Sequence, residues 1–87
     1  YAVPISSNKS MLGHMLGAAG ALSALVATLA ISTGVIPPTT NLDELDPACD
    51  LDVVTGGPRS MPVEVALANG FGFGGQNVVV AFGRAEA

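Results

Sequence analysis

From Ser10 to Pro38 the chain carries no charged side chain, and His14 is the one titratable group in that run. Residues from about Met15 to Thr33 are almost all Ala, Leu, Val, Ile and Gly, with Gly34 and Pro37-Pro38 just beyond, which predicts a long helix with a defined stop. Only Ser23, Thr28, Ser32 and Thr33 are polar within it, so the helix has no polar face and must be buried all round or embedded in a membrane. The run is long enough for a bilayer, and Gly13-x-x-x-Gly17 fits a membrane packing motif. Flanking aromatic anchors and a positive cluster are missing, and Ala and Gly suit a soluble core helix pressed closely between layers.

Composition points the same way. With 49% hydrophobic and 11% charged residues in 87, the chain has too little polar surface to cover its apolar side chains, so much of it is expected to pack against further protein. It is one domain at most, and reads as a piece with an internal start. The net charge of −4, with Lys9, Arg59 and Arg84 the only cations, argues against a nucleic-acid footprint. Five of the seven acids, Asp43, Glu44, Asp46, Asp50 and Asp52, fall together and predict a solvated loop. A single cysteine fits a reducing compartment, and the expected location is cytoplasmic.

Around the helix, Ala2 to Ile5 reads as a short buried strand and Ser6-Ser7-Asn8-Lys9-Ser10 as a polar turn. Pro37 to Pro62 holds most of the prolines and acids and reads as irregular, with a short strand at Leu51 to Val54. Two strands follow, Val63 to Asn69 and Asn77 to Gly83, and the glycine-rich link between them predicts an antiparallel hairpin with a wide loop.

Chemistry concentrates in Asn8 to Gly20, where the only lysine and the only histidine stand five residues apart before the long helix. Helix N-termini present unpaired N–H groups and positive potential, so an imidazolium is disfavoured there and a neutral His14 can donate one N–H to a developing oxyanion. Lys9 offers a second positive group, unless it is a solvated turn lysine. Gly70-x-Gly72-x-x-Gly75 matches a dinucleotide fingerprint in form only, since a strand follows instead of a helix. Phe71 and Phe73 beside these glycines read either as plugs for the local core or as part of a lid. Cys49 has no basic neighbour in sequence to stabilise a thiolate, and the acidic run is mis-spaced for calcium, so no metal and no cofactor are expected.

Three motifs in order resemble the C-terminal end of the β-ketoacyl-acyl carrier protein synthases, elongating condensing enzymes of the thiolase superfamily. Lys9-Ser10-x-x-Gly13-His14-x-x-Gly17-Ala18-x-Gly20 is similar to the family's lysine and second-histidine motif. Val35-Ile36-Pro37-Pro38-Thr39-x-Asn41-Leu42 is similar to its post-helix segment, and Asn69-Gly70-Phe71-Gly72-Phe73-Gly74-Gly75-x-Asn77 to its gating loop. Gln76 departs from the threonine frequent at its position. The Pro-Pro-Thr segment looks more like discrete type II synthases of fatty acid or aromatic polyketide pathways than like modular polyketide synthases.

The resemblance implies an α/β chain, residues 1–87 forming a partial C-terminal thiolase-like (ketosynthase) domain of an αβαβα layered fold, with one buried central helix and a C-terminal β-hairpin. It implies a decarboxylative Claisen condensation of an acyl thioester with malonyl-acyl carrier protein. His14 would stabilise the enolate and Lys9 belong to the polar network around it. Phe73 would be the gating aromatic with Phe71 behind it, within the loop Phe71, Gly72, Phe73, Gly74 and Gly75. Implied partners are acyl carrier protein bearing acyl and malonyl groups, the N-terminal remainder of the synthase and a second copy in a homodimer, with neither nucleic acid nor membrane. The family's nucleophilic cysteine and first histidine have no counterpart here, so the 87-residue chain alone is expected to be inactive. The alternative is a non-catalytic partner resembling chain-length-factor subunits, against which the intact Lys9 and His14 argue.

Overall fold

The computed structural model describes residues 3–85. The chain is α/β, with one long helix backed by a hairpin and flanked by two small strand pairs. Strand β1 (Pro4–Ile5) runs parallel to β3 (Asp52–Val53), and β2 (Val35–Ile36) runs antiparallel to β4 (Arg59–Ser60). The predicted start of the first strand at Ala2 lies outside the described residues. The polar turn after it is in part helical, because Lys9–Leu12 forms a single turn, α1, closed by Gly13 at φ 80°.

The long helix, α2, spans Ala19–Thr33 and is preceded by a 3-10 turn at Leu16–Ala18, so its regular part starts four residues later than the apolar run suggests. Its stop is as expected: Gly34 sits at φ 69°, and its N–H donates to the Ala30 carbonyl at 2.9 Å. The Thr28 and Thr33 hydroxyls donate back to the Leu25 and Leu29 carbonyls at 2.8 and 2.7 Å, which removes their need for an outside partner in an apolar helix. At the last turn Arg84 Nη2 donates to the Ile31 carbonyl at 2.8 Å, a cation on the negative end of the helix.

Ala27, Ala30 and Ile31 are buried, at the i, i+3, i+4 spacing of one helix face. That face packs on β5 (Val65–Gly72) and β6 (Gln76–Gly83), where Ala66 and Ala68 alternate with the exposed Val65 and Leu67. Burial of α2 is therefore one-sided within this chain, unlike the all-round burial expected, and Leu25 and Leu29 are about half exposed (52% and 51%). The stretch Leu16–Thr33 is long and apolar enough, by length and composition, to cross a membrane, but its small-residue face is occupied by the hairpin.

The hairpin is tighter than the wide loop expected. Its ladder runs from Val65↔Gly83 to Gly72↔Gln76, leaving only Phe73, Gly74 and Gly75 at the tip, with both glycines at positive φ (89° and 85°). Phe71 and Gly72 consequently belong to β5 and not to the loop.

The region 37–62, expected to be irregular, contains β3 where a strand was predicted and β4 where none was. Val54, 1% exposed, joins its pieces: its N–H donates to Ile5 and its carbonyl accepts from Thr39, at 2.9 and 2.8 Å. Asp52, expected in a solvated acidic loop, is instead held by Arg59 through two hydrogen bonds of 2.7 and 2.9 Å that link β3 to β4. The bond from Arg59 holds the Asp52 carboxyl below the usual carboxylate value and raises the guanidinium in turn. A lowered carboxylate stabilises the fold above its ordinary value of about 4 and loses that contribution as pH falls through the folded-state value. Protection of the Val54 and Met61 amides from hydrogen exchange, corrected for intrinsic rates, is thus expected to fall below about pH 4, and Asp52→Asn to remove that dependence.

Candidate active site

The segment carrying Lys9 and His14 is tied down by hydroxyl groups. The Ser6 hydroxyl donates to the Pro37 carbonyl at 2.5 Å, and the Ser7 N–H donates to Thr39 Oγ1 at 2.9 Å. Ser10 Oγ accepts from the Thr40 N–H at 2.8 Å while its own hydrogen reaches the Ser7 carbonyl at 3.3 Å. The residues just before and within α1 are thereby fastened to the extended stretch that follows β2. Sequence reasoning missed these anchors, although two clusters of Ser and Thr framed by apolar runs were visible.

Lys9 opens α1 and is exposed. It is among the residues lining a groove of about 560 Å³ that lies between residues 3–9, the Ala27 and Ala30 face of α2, and residues 61–69. Among the described residues its ammonium has no hydrogen-bond or ion-pair partner.

His14 follows the left-handed Gly13 and precedes the 3-10 turn. Its Nδ1 accepts the Leu16 N–H at 3.1 Å, one of the free donors ahead of α2. A ring nitrogen that accepts an N–H carries no proton, so the ring's remaining proton stands on Nε2. The ring is exposed, which leaves Nε2–H open to an acceptor from outside this segment. Leu16 itself adopts φ 51°, a left-handed conformation that costs a branched residue about 1–2 kcal/mol.

Phe73 is fully exposed and Phe71 is 73% exposed, so neither plugs the core of this chain. Neither they nor His14 line the groove that Lys9 borders. The lysine, the histidine and the two phenylalanines are thus each exposed, and the groove that Lys9 borders includes none of the other three. Cys49 is also exposed, in a turn where the Asp46 carboxylate accepts the Ala48 N–H at 2.9 Å. Among the described residues no three His, Cys, Asp or Glu side chains gather to hold a metal ion.

Residues 1–43 match the family described as beta-ketoacyl synthase, C-terminal domain. The 3-oxoacyl-(acyl-carrier-protein) synthase 2 of Synechocystis sp. is 51% identical over 82 residues, 94% of this chain and 20% of the relative. The protein of the same name from Mycobacterium tuberculosis is 55% identical over 76 residues, 87% of this chain and 18% of the relative. Nodulation protein E of Rhizobium meliloti is 50% identical over 82 residues, 94% of this chain and 20% of the relative. The chain spans about one fifth of the length of the curated relatives it matches, and the aligned region takes in the hydroxyl-anchored segment, α2 and most of the hairpin. The chain belongs to the β-ketoacyl synthase family, as part of its C-terminal region.

Proposed function

We propose that this chain supplies half of the active site of a β-ketoacyl-acyl carrier protein synthase that extends fatty acid or polyketide chains. The observation that carries the reading is His14, whose Nδ1 is engaged by Leu16 so that an Nε2–H donor stands free in front of α2. When the carboxylate of a malonyl thioester leaves as carbon dioxide, the electron pair of the broken bond passes to the α-carbon and the thioester oxygen. The Nε2–H of His14 stabilises that oxygen, and Lys9 keeps the surrounding polar groups oriented. The carbanion then attacks the acyl thioester held on a cysteine in the rest of the synthase. A carbon–carbon bond forms and the cysteine departs as thiolate.

In this reading Phe73 is the gating aromatic and Phe71 stands behind it. Residues 1–87 are part of the C-terminal thiolase-like domain, and α2 is a central helix of its αβαβα sandwich. The remainder of the synthase covers Leu25, Leu29 and the other apolar residues exposed here. Acyl carrier protein delivers both substrates, and the complete enzyme is a cytoplasmic homodimer that needs neither cofactor nor membrane.

The test is mass spectrometry of acyl carrier protein incubated with a complete synthase carrying this segment. A 3-oxoacyl product together with released carbon dioxide is expected from the complete enzyme, and neither from the 87-residue chain alone. Failure of the complete enzyme to condense would remove the assignment.

A further inference from the structure

Ser10 stands between the two candidate site residues, and its hydroxyl is used twice. It accepts the Thr40 N–H at 2.8 Å and donates to the Ser7 carbonyl at 3.3 Å, so one side chain joins α1 to a segment 30 residues away. Four residues on, His14 leaves this turn through Gly13, whose N–H is bonded to the Lys9 carbonyl at 2.8 Å. From Ser10 to His14 there is thus little slack: one helical turn, one glycine at φ 80° and the ring. On the other side, the segment that receives Ser10 is itself fixed, since the Thr39 N–H donates to the nearly fully buried Val54.

We infer that Ser10 is a positioning residue for the proposed malonyl-decarboxylating site, its hydroxyl holding against Thr40 the turn that begins with Lys9 and leads through Gly13 to His14. The inference rests on the function proposed above. A displacement of about 1 Å in a donor of this kind is enough to cost a large rate factor, whereas the hydroxyl itself touches no reacting atom. Thr39 serves the same latch through the Ser7 N–H.

The experiment compares Ser10→Ala, Ser10→Thr and Thr39→Val with His14→Ala in a complete synthase carrying this segment. The two half-reactions are read separately: acylation of the enzyme's cysteine by acyl-carrier protein, and decarboxylation of malonyl-carrier protein. Ser10→Ala is expected to lower kcat for decarboxylation by about tenfold to a hundredfold with KM for malonyl-carrier protein and the acylation rate changed less than about threefold. Ser10→Thr, which keeps the hydroxyl, is expected to recover most of the loss, and Thr39→Val to resemble Ser10→Ala. Should Ser10→Ala fail to fold, Thr39→Val carries the same comparison. Unchanged decarboxylation in both, or a Ser10→Thr enzyme as impaired as Ser10→Ala, overturns the positioning role while leaving the site intact. If His14→Ala also decarboxylates at the normal rate, the site itself is misassigned and the positioning role falls with it.

Discussion

His14→Ala in a complete synthase is expected to slow malonyl decarboxylation by about 10²- to 10³-fold, the usual loss for one oxyanion donor, while cysteine acylation proceeds at its normal rate. The selectivity follows from the chemistry: acylation needs no enolate, so a donor reserved for the enolate oxygen is idle in that step. Beside the role proposed for it, His14 has a structural task, since its Nδ1 accepts the Leu16 N–H. His14→Asn separates the two. An asparagine amide oxygen can take the place of Nδ1 and keep that bond, but nothing replaces Nε2–H. His14→Asn should therefore decarboxylate as poorly as His14→Ala while unfolding at the wild-type temperature. A His14→Asn enzyme with normal decarboxylation would show that the imidazole serves only to hold Leu16.

The largest effect on stability is expected at Gly34. Its φ of 69° ends α2, its carbonyl accepts the Met61 N–H at 2.9 Å, and a Cβ built on it would lie 3.3 Å from the Met61 carbonyl oxygen. Gly34→Val adds a branched side chain to a left-handed backbone and presses it on a neighbour that is hydrogen-bonded in place. Together these are expected to cost about 2–4 kcal/mol and to lower the thermal midpoint of the complete synthase by several degrees. Gly34→Asn meets the same contact but tolerates the left-handed conformation, so it should cost less than half as much. Equal losses for the two would place the cost in the Met61 contact instead of the backbone.

Much of this architecture was readable because it is local. The stop of α2 needs only Gly34 and the prolines behind it, and the hairpin needs only two apolar runs, the second with Val78-Val79-Val80, and glycines between them. Lys9 and His14 were singled out for the same reason, being close in sequence and next to a helix start. What stayed hidden depends on partners far along the chain. Arg59–Ser60 has no strand pattern of its own, and it is extended because Val35–Ile36 offers it an edge. Asp52 looked like one more solvated acid until the turn brought Arg59 to it. The Ser10 to Thr40 bond crosses 30 residues, and no spacing rule announces it. The hairpin tip was drawn too wide because glycines alone do not say where a ladder stops; Gly72↔Gln76 pairing decided that.

That last pair limits how a gate on this hairpin can work. With the ladder closed up to Gly72 and Gln76, Phe73 hangs on a bridge of three residues, and a chain gains at most about 3.5 Å of reach per residue. Phe73, Gly74 and Gly75 are the residues of the hairpin free of ladder pairing, so the backbone that carries the phenyl ring stays within a few ångströms of the strand ends. In the gating role proposed for Phe73, movement would be that of a short lever and not the sweep of a long flap, with the ladder beneath it left closed.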